Sequence, residues 1–287
     1  MTTASIDLHT DAARQPWSAL LWIAPLTAFW IVLNYELPVI AASGMPTVFS
    51  RVFIHVLIAL ALWLALERTE LTPVQRRNTW LAVMLPYTLW LAVAWGAAIN
   101  GAFSPGVSRV PLLPLSILVP VIVGVPILLR SRRIGLVLDA IPATWLVALQ
   151  VYRVLGSTFL IGWARGVMPA VFSLPAGTGD VLTGLLAVPI AIHLASGSDD
   201  GRRAAIAWNV FGLIDFTVAI GIAFLIALQI IVPSIPNTAN SVYPTVLTPA
   251  FAVPSSILLH VLSLRQLRRR ARQAERAGAP FAAPALA

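Results

Sequence analysis

Residues 110–133 read VPLLPLSILVPVIVGVPILLRSRR. Twenty residues without a charge, Val110 to Leu129, are followed by Arg130, Arg132 and Arg133. About 20 apolar residues are what a helix needs to cross the hydrocarbon core of a bilayer. Arginines gathered at one end of such a run mark the side on which it stops. The same pattern of apolar run and short arginine-bearing loop repeats along the chain. It predicts spans near 17–40, 47–66, 79–99, 110–129, 136–162, 179–196, 204–231 and 245–265. The fold expected is therefore an all-α, polytopic membrane bundle of about eight helices. A short segment, 1–16, precedes it and a basic tail, 266–287, follows it.

Composition agrees. Of 287 residues, 59% are hydrophobic and 10% charged, against roughly 45–50% and 25% in soluble domains. A soluble fold of this size has nowhere to hide that much apolar surface, whereas a lipid-solvated bundle need not hide it. The chain has no cysteine, which removes disulfides, thiolate metal sites and a cysteine nucleophile. It also has no lysine, so a lysine nucleophile or Schiff base is excluded. The formal charge of +8 comes from arginines that flank apolar runs. They point to membrane topology and anionic lipid, and no nucleic-acid partner is expected.

Orientation follows from counting. With both termini cytoplasmic, the inner side holds fifteen arginines: Arg14, Arg68, Arg76, Arg77, Arg130, Arg132, Arg133, Arg202, Arg203 and the six from Arg265 to Arg276. The outer side holds Arg51, Arg109 and Arg165. The positive-inside bias selects this arrangement, in a bacterial inner membrane. Trp17, Trp80, Trp163, Trp208 and Tyr243 fall near span ends, as interfacial aromatics do. The N-terminus has acids and no basic cluster, so the first span is expected to stay as an anchor rather than be cleaved at Ala41-Ala42-Ser43. Pro142 predicts a kink in the fifth span.

Arg265, Arg268, Arg269, Arg272 and Arg276 recur at three- and four-residue steps. The tail thus continues as a helix with one basic face, expected to rest on anionic headgroups as a topology anchor. After Ala277 the Ala/Pro-rich end is expected to be disordered. A weak internal repeat also suggests itself. Spans three and seven both open on an arginine pair, and spans four and eight are both proline-rich with arginines after them. Two parallel four-span halves would be related by an axis along the membrane normal.

Polar residues inside the spans are the candidates for function, because each is costly there. Arg153 lies well inside span five, with Gln150 and Ser157 on its face. Asn209, Gly212, Asp215 and Ala219 share a face of span seven. Asp180 opens span six above a strip of small residues, Thr183, Gly184, Ala187 and Ala191, that permits close helix contact. Counting 1.5 Å per residue puts Asp215 roughly 17 Å from the cytoplasmic side, Arg153 roughly 15 Å from the outer side, and Asp180 only a few ångströms from the outer side. Arg153 is then expected to reach one of the two aspartates, either as a strut between helices or as part of a solute or ion site. Glu36 and His55 lie at similar depth in the first two spans and could pair.

Gly177-Thr178-Gly179-Asp180 resembles the Gly-x-Gly-Asp motif of intramembrane aspartyl proteases and prepilin peptidases, and Val181 also suits the peptidase pattern. The resemblance implies a second aspartate close by, since two carboxylates must share a proton and activate water. Asp139 falls on the other membrane face and Asp215 is expected well below Asp180. The basic residue after the motif is replaced by Leu182 and Thr183. His193 and His260 are read as interfacial histidines near the inner ends of spans six and eight, with a haem or metal pair as the sharper alternative. No His-Glu-x-x-His, Gly-x-Ser-x-Gly or phosphate-loop motif is present, so neither metal nor cofactor is expected.

The expected function is transport of a small solute or ion. Gln150, Arg153, Asp180, Asn209, Asp215 and His260 are the binding candidates, with Arg153 meeting an anionic group. A non-catalytic membrane subunit is the alternative, and an intramembrane aspartyl protease the third reading.

Overall fold

The computed structural model describes residues 16–37, 44–108 and 110–277. The segment before residue 16, the Ala41-Ala42-Ser43 site, Arg109 and the chain after Ala277 lie outside the described residues. Those described form helices and turns with no strand. Eight helices are long and apolar enough to cross a membrane. In chain order the elements are α1 (Pro16–Glu36), α2 (Met45–Glu67), α3 (Pro73–Ile99) and α4 (Leu112–Arg130). Then come a short α5 (Arg132–Ala140), α6 (Thr144–Ala164), α7 (Ala170–Ala195) and α8 (Asp199–Ala227). The last is α9 (Val253–Ala277), entered through a π turn at Thr248–Ala252.

Local signals start these helices where the sequence changes character. Thr72 caps α3 with a reciprocal box: its hydroxyl accepts from the Gln75 N–H, and the Gln75 side chain accepts from the Thr72 N–H. Ser131 caps α5 and Ser198 caps α8, where Asp199 and Asp200 add favourable charge at the dipole's positive end. Leu21, Leu89, Ile122 and Ile127 point outward, as lipid-facing side chains do. Spans α6, α7 and α9 are the most buried and form the centre of the bundle, with the other spans around them.

Span five departs from expectation. Pro142 does not kink a helix running 136–162; it stands in a break between α5 and α6. Ser131 caps the polar stretch Arg132–Ala140, which turns Ile134, Val137 and Leu138 to the core. The carbonyls left open at the end of α5 are taken by α9: Gln266 Nε2 donates to Leu138 O at 2.6 Å and to Ile141 O at 2.8 Å, and Arg270 also donates to Ile141 O. Arg269 pairs with Asp139, and Arg265 donates to Leu128 O and Ser131 O at 2.7 and 3.1 Å. The basic helix is therefore continuous with span eight and docked on the α4–α5 corner. Only Arg268, Arg272 and Arg276 of its arginines are exposed.

The centre of α6, Leu149–Gly156, is a 3-10 helix. Runs longer than three or four residues are uncommon. At three residues per turn, Gln150, Arg153 and Gly156 form one row, of which Arg153 and Gly156 meet Asp180 of α7. Close approach is what the small residues permit. A Cβ on Gly184 would sit 2.5 Å from the Val154 backbone nitrogen, and one on Gly156 would overlap the Asp180 carboxylate. Span six also begins earlier than expected. Pro175 lies inside α7, so Gly177-Thr178-Gly179-Asp180 is helix interior and not an opening turn.

His55 does not meet Glu36. Its Nε2 bonds Thr88 Oγ1 at 2.9 Å, and its ring stacks on Tyr87.

Candidate functional site

Arg153 is the hub of a buried network. The 3-10 segment aims it between α7 and α8, and its side chain is 1% exposed. Nε donates to Asp180 Oδ1 at 2.8 Å, and Nη2 lies 2.7 Å from the same oxygen. Nη2 also donates to Asp215 Oδ2. The guanidinium carbon stands 4.0 Å over the Phe216 ring, a cation–π contact.

Nη1 lies 3.1 Å from His260 Nε2. Guanidinium nitrogens only donate, so Nε2 accepts and the imidazole proton sits on Nδ1. Nδ1 then donates to Asn209 Oδ1 at 2.9 Å. Asn209 Nδ2 passes the direction on, donating to Ala205 O at 2.7 Å and Ser263 Oγ at 3.1 Å. Every bond in this chain runs one way, from Arg153 through α9 to α8. Trp208 packs on the His260 ring and donates to Thr183 O at 3.0 Å.

Five of the six sequence-selected residues thus meet: Arg153, Asp180, Asp215, Asn209 and His260. Gln150 stands apart, its Nε2 donating to Ser256 O at 3.0 Å beside the Tyr152–Ser256 bond of 2.8 Å. The choice between Asp180 and Asp215 dissolves, because Arg153 holds both. The depth arithmetic fails for Asp180, since α7 starts at Ala170 and carries it more than two turns down. His260 is not interfacial; it is fully buried, and both ring nitrogens are bonded to side chains. It is not paired with His193. No metal-holding group of acids and histidines occurs among the described residues.

A cavity of about 710 Å³ reaches this network from the end of the bundle where residues 102–108 and 229–241 lie. That volume is in the range of small-molecule sites. Phe159, Phe172, Ala176, Phe216, Ala219 and Ala223 line much of it, and Asp180 and Asp215 form its floor. Their side chains are 12% and 7% exposed. Asp180 Oδ2 and Asp215 Oδ1 accept no hydrogen bond from the described residues. Arg153, Asn209, Gln150 and His260 do not line the cavity. The anion-binding role expected of Arg153 is thus not matched by its placement, since all three of its nitrogens are engaged behind the carboxylates.

Sequence reasoning missed Arg51. Counted there as an outer-side arginine, it sits inside α2 at 4% exposure and donates to Thr248 Oγ1 of the π turn at 2.8 Å. A small space of about 20 Å³, lined by Arg51, Tyr152, Arg153 and Asp180, lies between it and the network. Its position a turn past Pro46, amid VFSRVF, was the available signal. The phenyl rings of the cavity carried none, because they are ordinary in a membrane span.

No curated protein and no solved structure matches the chain. Residues 110–268 match a family model described as Domain of unknown function (DUF8737). The match begins at the edge of α4, takes in every residue of the Arg153 network, and leaves out α1, α2, α3 and Arg51. Covering more than half of the chain, it shows that the protein belongs to this family of unknown function.

Proposed function

We propose that the protein carries a small solute across a bacterial inner membrane, binding it in the cavity above Asp180 and Asp215. The observation behind this reading is a solute-sized, mostly apolar cavity that ends on two carboxylates held by one buried arginine. A strut between helices requires no such opening. Carriers place their sites near the membrane midplane beside irregular helices. The 3-10 segment of α6 and the π turn before α9 both border this region. The arginine asymmetry puts both termini in the cytoplasm and the cavity mouth outside. A solute reaching the carboxylates competes with Arg153 for them, which loosens α6 from α7 and α8. That competition is the coupling a carrier needs between binding and rearrangement.

The cysteine-free chain allows a direct test. Ala219→Cys places one thiol in the cavity, a turn from Asp215. A carrier sampling both orientations is labelled by a membrane-impermeant thiol reagent from either face. Labelling from the outer face alone would reject transport and leave a static receptacle.

A second reading, the intramembrane aspartyl protease, gains from one observation. Asp215 packs directly against Gly179 of the Gly-x-Gly-Asp segment, and it shares Arg153 with Asp180. Arg153 occupies the place between them where such a dyad shares a proton. This reading therefore requires Arg153 to swing away. Cleavage of a transmembrane peptide by purified protein, abolished by Asp180→Asn and by Asp215→Asn, would select it.

A further inference from the structure

We infer that the cavity above Asp180 and Asp215 binds an organic ammonium ion with an apolar body. The inference rests on the reading above only in placing a ligand in the cavity; binding itself requires no transport. Three observations fix the chemistry. The floor presents acceptors and negative charge, because each aspartate keeps one oxygen free of the described residues while Arg153 occupies the other. The described lining of the cavity contains these two acids and no arginine or histidine. At the mouth, Asn240 lines the same cavity at 4% exposure, and its Oδ1 has no hydrogen-bond partner among the described residues. Asn237, also in the lining, has an unpartnered Oδ1 as well. Buried acceptors of this kind are costly unless a donor meets them. Both ends of the cavity therefore ask for donors.

The walls between these ends decide against an inorganic cation. Phe159 and Phe172 meet edge to face at 5.4 Å, with Ala219 and Ala223 of α8 packed on them and Phe216 also in the lining. Phenyl faces attract ammonium charge and exclude water. A bare metal ion would find two free carboxylate oxygens and then hydrocarbon, whereas hard cations take six or more oxygen ligands. A primary ammonium places its N–H donors on the Asp180 and Asp215 carboxylates where they line the cavity and buries its carbon chain among the rings. A second donor on the far end of the ligand reaches Asn240.

The test is equilibrium binding to the purified full-length protein in detergent, with three probes that share one apolar body. These are 4-phenylbutylammonium, 4-phenylbutanol and 4-phenylbutyrate. The alcohol reports partition of the body into micelle and cavity; the other two report charge. The ammonium is expected to bind at least tenfold tighter than either. Asp215→Asn should remove that preference. Should this variant not fold, Ala223→Trp fills the cavity away from the Arg153 network and should abolish ammonium binding. Equal affinity for ammonium and alcohol would overturn the inference, as would tighter binding of the carboxylate or binding unaffected by Ala223→Trp. Ammonium binding without labelling of Ala219→Cys from both faces would reject transport and leave the inference standing.

Discussion

Replacing Arg153 by leucine removes the one group that joins α6 to both α7 and α8 through charge. In the native protein its nitrogens meet Asp180, Asp215 and His260. The leucine leaves two carboxylates without their cation and His260 Nε2 without its donor. Breaking a buried ion pair from one side costs about 3–5 kcal/mol, because the remaining charge is buried and unpaired. Two acids are stranded here, but both touch the cavity, where water softens the cost. We therefore expect a loss of about 3 kcal/mol, a fall in melting temperature of roughly 6–12 °C for a chain of this size. Unfolding would be followed by heating the purified protein in detergent. The triple variant Arg153→Leu, Asp180→Asn, Asp215→Asn carries no stranded charge and should recover most of the loss. Both outcomes are needed. A single variant as stable as the native protein would mean that the guanidinium does not hold these helices. A triple variant no more stable than the single one would mean that lost packing, not stranded charge, sets the cost.

Three further outcomes follow from particular contacts. Gly184→Ala drives a methyl into the Val154 backbone and should cost about 1–3 kcal/mol, whereas Gly221→Ala, with nothing within 4 Å, should leave the melting temperature equal or higher; similar losses at both sites would refute the close approach of α6 and α7. Gln266→Leu strips the donor from the Leu138 and Ile141 carbonyls and should destabilise by about 1–3 kcal/mol, while Arg268→Gln with Arg272→Gln should leave thermal stability unchanged and reduce binding to anionic vesicles. Reporter fusions at Ser198 and Ser241 should lie on opposite sides of the membrane, inner and outer respectively; agreement between them would break the assignment of α8.

Two prolines show how much was legible in the sequence. Apolar runs of span length carry the eight crossings, because lipid tolerates no other way of satisfying the backbone. What proline does inside such a run is not legible from the run alone. Pro142 falls in a break after α5 because RRIGLVLD is amphipathic, with its arginines outward and Ile134, Val137 and Leu138 on the core, and α9 supplies donors for the freed carbonyls. Pro175 leaves α7 intact because AVFSL before it is apolar and continues inward. Taking the glycines after Pro175 as a turn moved Asp180 outward by more than two helical turns, which separated it from Asp215. The cost of an arginine in hydrocarbon gave the right partners for Arg153 all the same. Counting back from Arg265 puts His260 at the interface, and only the packing of Arg153 and Asn209 on its two ring nitrogens shows it buried. Arg51 was lost to counting: an arginine near a span end is normally a topology signal, and only packing reveals one that turns inward.

Charge balance in the centre bears on what the network is for. One carboxylate suffices to neutralise Arg153, yet two are bound to it. The second positive charge, Arg51, lies on the other side of Asp180, beyond ion-pair reach and spent on Thr248. Replacing a buried ion pair by packed apolar residues is often neutral or stabilising, so a strut alone does not account for a second acid. It accounts still less for the fact that both acids line the cavity. A cation bound there meets the surplus negative charge of two aspartates on one arginine and competes with Arg153 for their oxygens. The least costly response is for Arg153 to yield part of its hold on the floor. His260 and Asn209 keep Nη1 in place while it does so, since their bonds run away from the carboxylates. Release would then fall on the contacts to α7 and α8 and spare the one to α9, so a ligand arriving from the cavity would move the first two helices relative to α6. The polar chain behind Arg153 has a definite role in this scheme: it fixes which of the arginine's contacts break first.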